Sequence, residues 1–425
     1  MSARETQDAG DSRPSVVVVG GGFAGLTAVK ALKHAPVRIL LVDRRNHHVF
    51  QPLLYQVATA MLPPETIAAP IRELVQKQQN TDVAMAEVTG IDAEGRRVLL
   101  RVPDRGEIAV GYDYLVLATG VGQSYFGHDE FAPFAPGLKS LVDAQAIRSK
   151  LLSAYEIAET QADPSKHKEL LTMVLVGAGP TGAEMAGAIA SMARVTLRKD
   201  FRRIDPALTR VILLEGGPRI LPSFSEELSR KAQDRLTRMG VEVRTGAQVE
   251  HVDDKGVIVA GQRIASRTVL WTAGVQPSPA GTWLKASTDR AGRVSVLPNL
   301  SVPGRPEVFV VGDTAHLEHN GRPLPGVAQV AMQQGHYVGK LIANRVDGRP
   351  APPPFRYFDK GNMAVIGKNF AILEAGKLQL SGFPGFVAWA AIHCLYLPQH
   401  RGEAIRRWVR AYLRGKIGSR LILDP

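Results

Sequence analysis

Short apolar runs punctuate this chain, and stretches with helical spacing of apolar residues separate them. Ser15 to Val19 is a run of mostly β-branched residues, and Arg38-Ile39-Leu40-Leu41-Val42 is a second apolar run. The same arrangement returns at Thr172 to Val176 and at Val211-Ile212-Leu213-Leu214. An alanine-rich, helix-favouring stretch follows the first member of each pair. Further strand signals lie in Ala84 to Leu100, Tyr112 to Gly120, Val241-Glu242-Val243, Thr268 to Gly274 and Pro306 to Asp313, and Ala144 to Ala162 reads as an amphipathic helix. Strands that alternate with helices in this way predict an α/β fold with parallel sheets.

The junctions inside the two pairs carry the chemistry. Gly20-Gly21-Gly22-Phe23-Ala24-Gly25 follows the first run, and Gly177-Ala178-Gly179-Pro180-Thr181-Gly182 follows its later counterpart. In such a turn the first glycine permits the tight bend from strand to helix. The second lets the backbone approach a pyrophosphate, and the third lets helix pack on strand. The phosphates then meet the free N–H groups of a helix N-terminus. One such motif alone is weak, because glycine-rich turns are common. Two of them, both between strand and helix and 157 residues apart (Gly20 to Gly177), predict two Rossmann-like dinucleotide-binding domains. A flavin and a nicotinamide on one chain would move two electrons.

Each unit has a candidate ribose-binding acid at the end of its next strand. Asp43 lies 18 residues beyond Gly25, the expected spacing. Glu215 lies 33 residues beyond Gly182, and the excess falls in Arg194 to Arg210, read as an insertion. An acid here repels the extra phosphate of NADP, so NADH is the expected nucleotide, although Arg202, Arg203 and Arg210 stand in the same stretch. The small-residue exit Ala118-Thr119-Gly120 lets the chain pass close to a cofactor, or is a simple strand-end turn. The run ending in Gly312-Asp313 is the return of the chain to the first domain, its aspartate placed to bind a ribityl chain. The expected division is a disordered lead-in (1–14), the first part of a flavin domain (15–165), an inserted NADH domain (166–293), the flavin-domain return (294–349) and a C-terminal module (350–425).

Composition narrows the chemistry. A single cysteine, Cys394, in 425 residues excludes an internal disulfide framework and the redox cysteine pair of flavin disulfide reductases. Electrons must then leave the flavin directly. The net charge of +12 suits anionic nucleotides or an anionic membrane. No recognition motif accompanies it, so nucleic acid is not an expected partner. Eleven histidines include no ligand spacing for a metal, and none is expected.

On these residues the chain resembles the type II NADH:quinone oxidoreductases, single-subunit flavoproteins of respiratory membranes. The resemblance runs from about Val16 to Leu397 through Phe50-Gln51-Pro52-Leu53-Leu54-Tyr55-Gln56-Val57-Ala58-Thr59-Ala60, Ser124-Tyr125-Phe126-Gly127-His128, Gly179 to Glu184 and Val310 to Asp313. Its most specific part is Ala328-Gln329-Val330-Ala331-Met332-Gln333-Gln334, similar to the family's quinone-site motif. The resemblance implies non-covalent FAD in the first domain, NADH in the inserted one, and a quinone (ubiquinone or menaquinone) reduced from the membrane side without proton pumping. The implied flavin site comprises Gly20, Gly22, Phe23, Ala24, Gly25, Asp43, Arg44, Gln51, Val88, Thr119, Gly120, Gly312, Asp313, Ala328, Gln329 and Ala331. The implied NADH site comprises Gly177, Gly179, Pro180, Thr181, Gly182, Glu184, Glu215, Ala273 and Gly274. Glu184 is expected to position the nicotinamide. Gln329 and Gln333, four apart on one helical face, are expected to hydrogen-bond a quinone carbonyl.

The C-terminus is expected to place the protein on the cytoplasmic side of the inner membrane as a peripheral homodimer. Leu378 to Leu397 is apolar over 20 residues but is interrupted by Gly382, Pro384 and Gly385, so a spanning helix is the poorer reading. From Glu403 to Arg414, Ile405, Trp408, Val409, Tyr412 and Leu413 share one face of a helix, opposite Arg406, Arg407, Arg410 and Arg414. Such a helix suits the interface of an anionic leaflet, or packs on its own domain. Three other functions share most of these features. A sulfide:quinone oxidoreductase is disfavoured by the single cysteine. A soluble NADH diaphorase would lack the tail and the Gln329 motif, and a non-enzymatic flavoprotein would not be reduced by NADH.

Overall fold

A computed structural model describes residues 12–397, 402, 405–409 and 420–422. Of the expected lead-in, residues 1–11 lie outside the described residues. The chain forms two compact units. One contains the chain up to His48, Ala69–Gly122 and Val275–Asp359; the other contains Val49–Ala68, Gln123–Gly274 and the chain from Lys360 onward. The middle of the chain leaves the first unit after Gly122 and returns at Val275, against expected bounds of 166 and 293. The earlier departure has a packing reason: the helix Leu141–Thr160 lies against the short helix Leu54–Ala58 and the strand Thr268–Trp271, all in the second unit.

The first unit is built on a six-stranded sheet. Its order is Ser301–Val302, Arg305–Val310, Tyr114–Leu117, Ser15–Val19, Arg38–Asp43, Thr81–Met85. All neighbours are parallel except the first pair. Val16, Val17 and Val18 are fully buried because both faces are covered. One face carries the helices Phe23–Ala31 and Ala328–Val346. These approach closely through small residues: a Cβ on Gly335 would stand 2.1 Å from the Ala24 carbonyl oxygen, and one on Gly339 2.7 Å from that of Ala28. The opposite face packs on the antiparallel strands Glu87–Asp92, Arg97–Val102 and Gly106–Gly111.

The second unit has a four-stranded parallel sheet in the order Val241–Arg244, Arg210–Leu214, Thr172–Val176, Thr268–Trp271. The helix Pro180–Ser191 follows the Thr172–Val176 strand. It runs into the π-helical turn Met192–Thr196, which opens the insertion inferred from the long spacing to Glu215. The Glu159 carboxylate accepts the backbone N–H groups of Arg202, Arg203 and Ile204 and pins that insertion to the end of Leu141–Thr160. This helix begins three residues before the expected Ala144. Ser140 and Asp143 form a reciprocal capping box there, each side chain accepting from the other's N–H.

The apolar stretch 378–397 divides into two elements. Leu378–Gly382 is an edge strand of a three-stranded sheet with Asn362–Val365 and Ala371–Ala375, and Phe383–Tyr396 is a helix. Gly382, at φ +80°, makes the bend between them. At about 1.5 Å per residue the 14-residue helix is about 21 Å long, against a hydrocarbon core of about 30 Å. No helix among the described residues is long and apolar enough to cross a membrane.

Candidate nucleotide and quinone sites

In the first unit the glycine turn is shaped by its neighbours. Gly20 has φ +105°, and a Cβ there would stand 2.3 Å from the Ala118 carbonyl oxygen. A Cβ on Gly25 would stand 1.8 Å from the carbonyl oxygen of Gly20. Gly22 differs: a Cβ there would meet no protein atom within 4 Å. Its lack of a side chain is therefore not demanded by the fold and leaves room for a ligand. The helix behind it has no side-chain cap and no acid in its first turn, so the positive end of its dipole favours an anion. Pyrophosphate fits this cradle.

Asp43 does more than the spacing implied. Its Oδ2 accepts the Gly21 N–H at 2.6 Å and its Oδ1 the Arg45 N–H at 2.8 Å. The carboxylate thus sets the turn while keeping lone pairs for a ribose. His48 holds the other backbone group of Gly21. It is buried, and its Nδ1–H donates to the Gly21 carbonyl at 2.9 Å. Burial holds its pKa below the usual histidine value. Arg44 is exposed just beyond Asp43, and Val88 is partly buried on its strand. Gln51 is exposed and belongs to the second unit.

The two loops expected at the flavin are brought together in the first unit. The Thr119 hydroxyl bonds to the hydroxyls of Ser278 (2.5 Å) and Thr314 (3.2 Å), and Thr314 donates to the Gly120 carbonyl at 2.7 Å. Gly312, at φ +73°, lies between two helices: a Cβ there would be 3.5 Å from the Cβ atoms of Ala24 and Ala331. Its N–H donates to Gln334 Oε1 at 2.6 Å. Gln334 is 1% exposed and is the residue of the motif that the sequence reading passed over. The signal was its adjacency to Gln333, but nothing local shows which of two glutamines faces the core.

Ala328 and Gln329 are partly buried at the start of the helix Ala328–Val346, and Asp313 faces Gly326. Gln333 lies on the same face as Gln329, but its amide is engaged. Nε2 donates to the Phe358 carbonyl at 2.9 Å and Oε1 accepts the Phe358 N–H at 3.0 Å. It clamps a neighbouring segment of its own unit. In this structure Gln333 therefore serves a contact within its own unit, which the expectation of two quinone-facing amides did not include.

The second unit repeats the first in its essentials. Gly177 has φ +100° and abuts Ala273, whose Cβ would be 2.7 Å from an added Cβ. A Cβ on Gly182 would stand 1.9 Å from the Gly177 carbonyl oxygen, whereas one on Gly179 would meet nothing within 4 Å. Glu215 Oε2 accepts the Ala178 N–H at 2.7 Å and Oε1 the Gly217 N–H at 2.8 Å, matching the role of Asp43. Pro180 and Thr181 open the helix, and Gln123 Nε2 donates to the carbonyls of Ala273 (2.6 Å) and Gly274 (3.0 Å). Arg210 is paired with Glu242 at 2.7 Å, which engages one of the cations that stood against an NADH preference.

Glu184 stands in the second turn of that helix with 9% of its surface exposed. Its Oε1 accepts the Val365 N–H at 3.2 Å, and burial pushes its carboxyl up to about 8. At neutral pH it is an O–H donor rather than an anion. This is more than the helix-dipole carboxylate that its position alone suggests, because its environment comes from a strand 181 residues away.

The tail departs from expectation at Trp408, which is 5% exposed rather than presented outward. Its Nε1–H donates to Gln56 Oε1 at 2.7 Å, Gln56 Nε2 donates to the Tyr55 hydroxyl at 2.8 Å, and the ring lies 5.3 Å from Trp389. Ile405 and Val409 are exposed, whereas Arg410, Tyr412, Leu413 and Arg414 lie outside the described residues.

Residues 14–335 match the family described as pyridine nucleotide-disulphide oxidoreductase. The chain is 44% identical to the type II NADH:quinone oxidoreductase Ndh of Mycobacterium tuberculosis, over 97% of this chain and 91% of that protein. It is 43% identical to NdhA of the same organism, over 92% and 85%. Its fold is that of the NDH2 of Plasmodium falciparum solved with NADH, at a TM-score of 0.88 and 17% identity, covering 97% of this chain and all of that one.

Proposed function

Because the chain belongs to the type II NADH:quinone oxidoreductases, within the pyridine nucleotide-disulphide oxidoreductases, we propose that its two glycine cradles divide the work between FAD and NADH. The protein oxidises NADH and reduces a quinone. FAD is the family's cofactor and supplies the two-electron chemistry between the two substrates. The observation that supports a dinucleotide at each cradle is the open space before Gly22 and Gly179, each beside a turn that the fold otherwise fills, and the family resemblance supports the order of the two.

In the first unit Gly22 and the helix behind it would receive the FAD pyrophosphate, Asp43 a ribose, and Thr119, Gly120, Gly312 and Asp313 the flavin side. In the second, Gly179 and its helix receive the NADH pyrophosphate and Glu215 the adenosine ribose. Glu184, protonated, offers an O–H to the nicotinamide carboxamide while Val365 fixes its other oxygen. Gln329 donates to a quinone carbonyl. Hydride from NADH carries two electrons and one proton, so the second proton of the quinol comes from solvent.

Mixed anaerobically, NADH should bleach the flavin absorbance and NADPH should do so far more slowly, because Glu215 meets the 2′-phosphate with like charge. Ubiquinone or menaquinone analogues should then restore the colour. Equal rates with both nucleotides would remove Glu215 as the selector, and failure of any quinone to reoxidise would favour a diaphorase. In the same experiment Gln329→Ala should slow reoxidation by about tenfold, the loss of one hydrogen bond, and leave reduction by NADH unchanged. If both halves slow together, Gln329 supports the flavin site instead.

The proposal extends to a homodimer, read by light scattering, resting on the cytoplasmic face of an anionic membrane. Phe383, Val387 and Leu395 form an exposed apolar row along one face of the helix Phe383–Tyr396. Residues 398–425 add seven Lys or Arg against two Asp or Glu, a charge of 7 − 2 = +5. Each basic residue near an anionic surface contributes about 1 kcal/mol, screened beyond roughly 10 Å at 0.1 M salt. Binding to anionic liposomes should therefore be strong in low salt and fall in high salt, and truncation after Leu397 should abolish that salt dependence. Binding that ignores both salt and truncation would assign attachment to the apolar row alone.

A further inference from the structure

Resting on the assignment of NADH to the second unit, we propose that Phe126 is a binding residue for the nicotinamide half of that nucleotide. The loop that carries it is tied to the end of the strand Thr268–Trp271. The Trp271 indole N–H donates to the Ser124 carbonyl at 2.9 Å, and Gln123 bonds the carbonyls of Ala273 and Gly274. Tyr125 points inward, 5.3 Å from the Trp271 ring, with its hydroxyl donating to the Ala135 carbonyl at 2.9 Å. Phe126 goes the other way.

Two local costs meet at this residue. Its backbone has φ +56°, a left-handed conformation that bulky side chains rarely adopt, and its side chain is 66% exposed. Leu221 and Leu300 share such a backbone but are fully buried, so packing accounts for them. Phe126 has no such burial: the Ser124 hydroxyl accepts its N–H at 3.2 Å and one part of its ring rests on Gly274, and the rest of the side chain is open. Local conformations that break the rules of folding without a packing return are expected where a ligand makes up the difference.

Its position names the ligand half. In a sheet of this order a dinucleotide lies across the carboxyl ends of the strands, with its pyrophosphate at the fingerprint of the central strand. Glu215, at the end of Arg210–Leu214, marks the adenosine side. The nicotinamide side must extend the other way, toward the end of Thr268–Trp271. There the Phe126 ring lies on Gly274, where an added Cβ would come within 2.6 Å of Cζ, and Ala273 in turn abuts Gly177. A flat aromatic ring at this end suits contact with the flat nicotinamide.

The test uses oxidised holoenzyme and calorimetric binding of NAD+, which cannot reduce the flavin, beside ADP-ribose, which lacks the nicotinamide. Phe126→Ala should weaken NAD+ by roughly tenfold and leave ADP-ribose unchanged. Phe126→Asn should lose the same NAD+ affinity while unfolding at the same temperature as wild type or higher, because asparagine tolerates the left-handed backbone. Equal weakening of both ligands, or of neither, overturns the proposal, as does Phe126→Asn unfolding well below wild type. Gly179→Ala separates the underlying assignment: it should weaken both ligands. If it weakens neither, the nucleotide binds elsewhere and the proposal falls with that assignment, whatever Phe126→Ala does.

Discussion

Replacing Gly182 with alanine should abolish flavin reduction by NADH while the purified protein keeps its flavin. The added methyl would stand 1.9 Å from the Gly177 carbonyl oxygen and 2.8 Å from Thr272 Oγ1. Gly177 belongs to the turn itself, and Thr272, just past the neighbouring strand Thr268–Trp271, is tied to the carbonyls of Val176 and Gly177 at 2.9 and 2.7 Å. No flexible side chain can yield, so strand and helix must separate and the cradle opens. A displacement of about 1 Å in a site of this kind can cost about 100-fold in rate, and thermal stability should fall as well. Gly179→Ala is the informative partner, because its methyl would meet no protein atom within 4 Å. It should leave the unfolding temperature in place and weaken nucleotide binding alone. The same contrast holds for Gly25 and Gly22, read by flavin content instead. A Gly182→Ala protein with normal NADH kinetics would refute the assignment of that turn.

Glu184→Gln should make the protein more stable than wild type in alkali and no more stable in acid. An isolated glutamate titrates at about 4.3, whereas burial raises Glu184 to about 8. Below the unfolded value both states are protonated and the stabilisation is fully present. Between that value and about pH 8 the unfolded chain releases its proton and the folded one does not. Stability is therefore lost by about 1.4 kcal/mol per pH unit, up to a few kcal/mol, and levels off above the folded pKa. Glutamine carries no proton to lose, so its unfolding temperature should lack this decline. It also keeps both contacts, an acceptor for the Val365 N–H and a donor toward the nicotinamide. Near pH 7 its kcat/KM for NADH should stay close to wild type, whereas Glu184→Ala should lose at least tenfold. Above pH 8 wild type should decline and glutamine should not. Parallel unfolding curves from pH 5 to 9 would show that Glu184 is not held neutral.

Much of this protein was legible before its structure, and the legible part was local. The two glycine turns, the acids that follow their next strands and the helix Ala328–Val346 depend on backbone geometry within a few residues, which sequence spacing encodes directly. The long gap before Glu215 likewise announced the insertion that Glu159 pins. What the sequence could not determine is where each polar side chain finds its partner. Gln333 and Gln334 are neighbours in the same motif. One clamps the Phe358 backbone and the other holds Gly312, because the helical repeat turns adjacent residues toward different neighbours. Trp408 has the spacing of a membrane-facing residue, yet it bonds to Gln56, 352 positions earlier. Glu184 owes its altered acidity to burial beside Val365, 181 positions later. Periodicity determined which elements form and where a phosphate can approach a backbone. Burial and partner choice belong to segments that meet only in the folded chain, so only the tertiary structure decided which neighbours Gln333, Gln334, Trp408 and Glu184 hold.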